Sequence, residues 1–167
     1  MKLSQGLKVL MTVASDEAVH LQAKALDCEH LFLGLLKLGD FRNERLAFAI
    51  SLEDWNSVLN EMDQLDRFWR EQAISNKHFR RKFRVILTNS RRDKGEFSGH
   101  RTQRGRDVFT HAEKWQIEQK RDQIDLLSIL KACLEIPSQE LDQLFLEEEL
   151  DRIQLIKVVN KISKKGG

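Results

Sequence analysis

One apolar programme, written twice about 98 positions apart, constrains this chain more than any other feature. In the first half Leu3, Leu7, Leu10, Met11, Ala14, Ala18 and Leu21 recur at spacings of three and four, the stripe of an amphipathic helix. In the second half Val108, Phe109 and Ala112 stand where Leu10, Met11 and Ala14 stood, and Ile124, Ile129, Leu130, Ala132 and Leu134 answer Leu26, Leu31, Phe32, Gly34 and Leu36. A unit whose stripe cannot be buried alone must pack on its copy, which predicts a pseudo-twofold axis and places function on the seam or its rims.

Each copy reads as four helices. Ser4 is placed to cap the first, and Asp27 the second, its short carboxylate accepting from the free amides of the first turn; that helix should stop near Gly39. Residues 43–50 make a short third helix, and 53–69 a fourth with Trp55, Val58, Leu59, Met62 and Leu65 on one face. In the second copy 138–145 answers 43–50, and 147–162 closes the unit. Proline occurs once and tyrosine never, while helix-favouring residues dominate. The fold class predicted is all-α: repeat one over 2–70, a basic inter-repeat insert over 71–101, repeat two over 102–162 and a tail over 163–167. The insert is expected to hold one extra helix or a short extended piece at 84–88, then a loop around Gly95 and Gly99.

Charge is distributed unevenly. Residues 67–106 carry 13 Lys or Arg against 3 acids, and the rest of the chain 15 against 23. No apolar run approaches the ~18 residues of a membrane span, and the N-terminus lacks the apolar core of a signal peptide, so no membrane partner and a cytoplasmic location are expected. Cys28 and Cys133 suit two reduced, buried thiols.

The string L-S-x-x-L-x-x-L-M-x-x-A-x-x-x-A from Leu3, followed after about ten residues by E-H-L-F-L-G-L-L from Glu29 and by a degenerate second copy, resembles the Clp N-terminal domain. That double four-helix repeat stands at the front of the Clp family of AAA+ unfoldases. The resemblance implies a module that binds unfolded or tagged client proteins, or an adaptor protein, and works with an AAA+ ATPase in cis or in trans. No G-x-x-x-x-G-K-[ST] loop occurs here, so no nucleotide hydrolysis by that chemistry, and no enzyme activity, is expected. In some members the glutamate before the histidine helps bind phosphorylated arginine, once in each repeat. Glu29 matches the first position, but the second falls on Leu127, which points to an apolar or helix-in-groove mode instead.

The candidate contacts for protein or peptide are Leu3, Ser4 and Glu29 near the helix N-termini and Phe79, Phe83 and Arg84 in the insert. Glu29 also has a plain structural role, since an acid in a first helical turn is stabilised by the exposed amides. His30 reads as a packing histidine, and no metal or cofactor is expected, because the one Cys or His near it, Cys28, lies on another helix face. Acidic neighbours disfavour a Cys28 thiolate, and Cys133 falls on the core position of Leu35. The rival from another class is nucleic-acid binding through residues 77–106, where Arg80, Arg81, Lys82, Arg84, Arg91, Arg92, Lys94, Arg101, Arg104 and Arg106 could release counterions and Phe79 and Phe83 could stack. A helix-turn-helix reading of LKACLEIPSQELDQLF is weakened by Glu140 and Asp142 on the would-be recognition helix.

Overall fold

The computed structural model describes residues 1–90 and 93–165; Arg91, Arg92, Gly166 and Gly167 lie outside the described residues. Among the described residues eight α-helices follow in order: α1 Gln5–His20, α2 Cys28–Lys37, α3 Leu52–Glu71, α4 Asn76–Asn89, α5 Gln103–Glu118, α6 Leu126–Glu135, α7 Gln139–Glu147 and α8 Arg152–Lys165. Two short 3-10 turns, Leu38–Phe41 and Arg45–Phe48, connect α2 to α3. The chain is all-α, and its helices form two packed four-helix repeats.

Local chemistry starts most of these helices. Ser4, Ser51, Ser75, Thr102, Asp125 and Ser138 each accept a backbone amide of the first turn through the side chain. Asp27 heads α2 in a reciprocal box, in which the Asp27 amide donates to His30 Nδ1 at 2.9 Å.

The seam between the repeats shows the twofold in its backbone bonds. The Ser4 amide donates to Ile124 O and the Ile124 amide to Lys2 O; 98 positions on, the Thr102 amide donates to Leu26 O and the Leu26 amide to His100 O, all at 2.8–2.9 Å. Left-handed residues close the first helix of each repeat at the same place, Gln22 with φ 57° and Lys120 with φ 54°.

The third and fourth helices correspond at a different spacing. α4 and α8 are each 14 residues long and bury the same positions, Phe79, Phe83, Ile86 and Leu87 in one and Leu155, Val159, Ile162 and Ser163 in the other. The turns before them match as well: Ala73 and Glu149 are left-handed, and the Ile74 amide donates to Trp69 O as the Leu150 amide does to Phe145 O. α3 therefore answers α7, and α4 answers α8, 76 positions on, with 22 extra residues in repeat one forming the 3-10 turns and the first turns of α3. The sequence expectation paired 43–50 with 138–145 and 53–69 with 147–162. Its register failed because the extra residues keep the apolar spacing of a helix and so mimic a separate element. Residues 84–88 are helical, and the first part of the basic segment is the fourth helix of repeat one.

α2 and α6 are buried along most of their length, with Lys37, Lys131 and Glu135 left partly or fully exposed, and they pack against each other at the centre. There each cysteine Sγ points at the other's carbonyl, Cys28 to Cys133 O at 4.0 Å and Cys133 to Cys28 O at 3.8 Å. Phe32 on α2 meets Trp69, Phe83 and Phe145 edge to face at 6.1, 5.8 and 5.8 Å, which ties α3, α4 and α7 to the centre. Gly105 permits the approach of α5 to the seam, since a Cβ there would lie 2.4 Å from Leu26 O.

Candidate functional site

Among the places where polar groups meet a depression or a helix junction, three bear on function. The first is where α2 and α5 begin side by side. Glu29 is fully buried; its Oε1 accepts from Arg104 Nη2 at 2.7 Å and from Ser138 Oγ at 2.7 Å. Arg104 also donates to Pro137 O and lies 3.4 Å from Asp27, while Thr102 Oγ1 donates to Asp27. Burial opposes the Arg104 charge, yet its bond to the Glu29 carboxylate, with the charges of Glu29 and Asp27, raises its pKa overall. A polar hollow of about 620 Å³ opens beside this junction, lined among others by Lys24, Asp27, His30, Arg104 and Glu140.

The pseudo-equivalent junction, where α1 and α6 begin, is closed by the extra turns of α3. Glu61 accepts from Ser4 Oγ at 2.8 Å, the Gly6 amide at 3.1 Å and the Leu126 amide at 3.0 Å. Burial pushes its carboxyl up to about 7, with the Asp125 charge adding to the rise and the three donors opposing it. One side chain thus holds the starts of two helices from different repeats.

The third place is a groove of about 480 Å³ between α4 and α7. α4 supplies His78, Arg81, Lys82, Val85, Ile86, Asn89, with Ser90 at its end, and α7 supplies Gln143 and Glu147. Val85 is 56% exposed, and Leu146 nearby in sequence on α7 is 80% exposed. Ion pairs join the two helices at one end, Lys82 Nζ lying 2.8 Å from Glu148 and 3.2 Å from Glu147, and a hydrogen bond of 3.0 Å joins His78 Nε2 to Glu148. The Gln143 amide and then Lys82 hold the Glu147 carboxyl below the usual range, and Lys82 and His78 do the same for Glu148.

The residues picked from the sequence are not gathered in one place. Leu3 is half-buried and Ser4 buried at the seam, with Ser4 bonded to Glu61. Glu29 lies inside the α2–α5 junction. Phe79 and Phe83 face inward, 4% and 0% exposed, while Arg84 reaches back to Glu17 with bonds of 2.6 and 3.1 Å. Burial works to raise the Glu17 carboxyl, but bonds from Arg84 and Lys37 hold it below its ordinary value. Phe79, Phe83 and Arg84 therefore fix the helix that forms one wall of the groove. The wall itself, Val85 and Ile86 with Gln143 and Glu147 opposite, was not foreseen; the signal for it was the i, i+3, i+4 spacing of Lys82, Val85 and Ile86 inside the basic segment. Glu61 was missed too, and its signal was an acid between Val58 and Leu65 on an otherwise apolar face.

Several cations of the basic segment are already committed within the chain: Arg80 to Asp40, Lys82 to Glu147 and Glu148, Arg84 to Glu17, Arg104 to Asp27 and Glu29. Arg101 stacks over Phe109, and Arg106 donates to Arg101 O. Arg91 and Arg92 lie outside the described residues. Among the described residues no cluster of His, Cys, Asp and Glu is arranged to hold a metal, and no helix is long and apolar enough to cross a membrane.

Comparison with solved structures finds the crystal structure of the Hsp104 N-terminal domain from Candida albicans, with a TM-score of 0.64 and 15% sequence identity over 95% of this chain and 89% of that one. No family model matches the chain, and no curated protein matches it by sequence. The chain has the fold of that domain, which is a Clp-N domain.

Proposed function

We propose that this chain is a protein-binding module of the Clp N-terminal kind, without catalysis of its own. It takes segments of unfolded or tagged client proteins, or of an adaptor protein, for an AAA+ ATPase acting in cis or in trans. The observation that carries the reading is the groove between α4 and α7 on a Clp-N fold: its volume of about 480 Å³ lies in the range of built ligand sites, and it pairs an apolar wall with polar rims. Unfolded segments share exposed apolar side chains, which such a wall removes from water. Modest affinity suffices for this task when several copies on one assembly act together.

Glu29 enters this reading as an anchor of the seam. Arg104 and Ser138 already engage its carboxylate, which favours apolar capture over recognition of a phosphorylated arginine there. Leu3 and Ser4 hold the start of α1, and Phe79, Phe83 and Arg84 hold the groove wall from behind. Nucleic-acid binding is the weaker reading, because Arg80, Lys82, Arg84 and Arg104 are neutralised by acids of the same chain.

The test sets the purified chain against reduced, carboxymethylated α-lactalbumin, which stays unfolded, and in parallel against a short DNA duplex across a salt series. Saturable binding of the unfolded protein is expected. Steeply salt-dependent duplex binding with none to the unfolded protein would overturn the reading.

A further inference from the structure

Resting on that protein-binding reading, we propose that the α4–α7 groove selects segments in which an apolar side chain lies beside a carboxylate: the apolar group seats against Val85 and Ile86, and the carboxylate pairs with Arg81.

The groove has two parts, and the twofold supplies an internal comparison for the first. Along α4 the residues His78, Lys82, Val85, Ile86 and Asn89 follow one stripe, a path of about 16 Å at the rise of an α-helix. That length suits roughly five residues of extended chain. The apolar seat lies mid-stripe, where Val85 is exposed and Ile86 forms the floor at 6% exposure. In α8, which answers α4 at 76 positions on, Lys161 and Ile162 stand at the places of Val85 and Ile86, and Lys161 is exposed. A charged stem has replaced the apolar seat there.

The second part is the charge beside the seat. Lys82 and His78 are committed to Glu147 and Glu148 across the groove. Arg81, one helical turn before Val85 and on the same rim, is exposed and makes no ion pair among the described residues. Lys77, a further turn back, is exposed as well. Glu147 and Glu148 are held by Lys82, so the charge on this rim without an acid partner among the described residues is that of Arg81, which is positive. A ligand carrying a carboxylate next to its apolar anchor complements it, and one carrying an amine is repelled.

Three dye-labelled peptides of equal length, identical except for a central Leu-Asp, Leu-Lys or Ser-Asp pair, test this by fluorescence anisotropy with the full chain. The Leu-Asp peptide is expected to bind best, severalfold tighter than the Leu-Lys peptide, and that preference should shrink at high salt as an exposed ion pair is screened. Val85→Lys, which installs at an exposed position the residue found at the equivalent place of α8, should weaken Leu-Asp binding about tenfold, the worth of one buried apolar side chain. Arg81→Glu should reverse the order of the Leu-Asp and Leu-Lys peptides. Unchanged thermal melts would show both variants folded. If the wild-type chain binds carboxymethylated α-lactalbumin but the two variants bind it and the peptides equally well, the groove assignment is overturned while the protein-binding reading stands. If the wild-type chain binds neither, both fall.

Discussion

Glu61 makes the stability of this fold depend on pH in an unusual direction. Its carboxyl has a pKa of about 7 in the folded chain against an ordinary value of 4.5. The folded state therefore holds the proton more tightly than the unfolded chain does. The resulting stabilisation is fully present below about pH 4.5 and is lost as the pH rises through 7. At ~1.4 kcal/mol per pH unit, the loss between about pH 5 and pH 8 amounts to roughly 2 to 3 kcal/mol, a large share of a domain's stability. Other carboxylates run the opposite way: Glu17, held below its ordinary value by Arg84 and Lys37, favours folding at higher pH. The Glu61 contribution must therefore be isolated by difference. Glu61→Gln removes the ionisation and keeps the shape. Urea unfolding followed by fluorescence of the buried Trp55, Trp69 and Trp115, repeated from about pH 5 to pH 8, gives the penalty of the substitution at each pH. We expect Glu61→Gln to be destabilising at pH 5, where it loses an acceptor shared by two helix starts, and that penalty to shrink by about 2 kcal/mol or more by pH 8. A penalty that stayed constant would show a carboxyl ionised throughout the range. One that grew with pH would show that Ser4, Gly6 and Leu126 outweigh burial, and either result would refute the reasoning.

Gly105→Ala should cost about 2 kcal/mol or more, read as a lowered Tm, because its Cβ would sit 2.4 Å from the backbone oxygen of Leu26 and one rigid segment must shift. Phe83→Ala should cost about 3 to 5 kcal/mol in urea unfolding, since its fully buried ring stands edge to face against Phe32. The thiols of Cys28 and Cys133 should react with a thiol reagent only as fast as the chain unfolds; both are fully buried, and burial, with the Cys28 thiol alongside, pushes Cys133 well above its ordinary value. Rapid labelling of either under native conditions would contradict the packing of α2 against α6.

What the sequence made legible is what local chemistry decides. The caps Ser4 and Asp27, the offset of the first two helices and the burial of Leu31, Leu35, Leu36 and Cys133 follow from short-range pattern, and the structure has them so. α4 was obscured because cations crowd its outer face, hiding the stripe of Phe79, Phe83, Ile86 and Leu87 within a charge run. The partners of Glu29 were beyond reach for another reason. An acid in the first turn of α2 is favourable with or without Arg104, so nothing near residue 29 signals an arginine 75 positions away. The groove is less legible still, since it exists only in the distance between α4 and α7. Two helices with the same individual sequences could pack closer and erase it.

The crossed backbone pairs of the seam bear on how the chain reaches this structure. The segment before α1 finds its hydrogen-bond partner at Ile124, and Leu26 finds its own at His100 and Thr102, so neither repeat supplies the groups that finish its own edges. For a chain made of helices, which commonly folds through near neighbours, these are distant closures, and long-range contacts of this kind lower the expected folding rate. A half-length chain ending after α4 would leave α2 without the α6 surface it packs against.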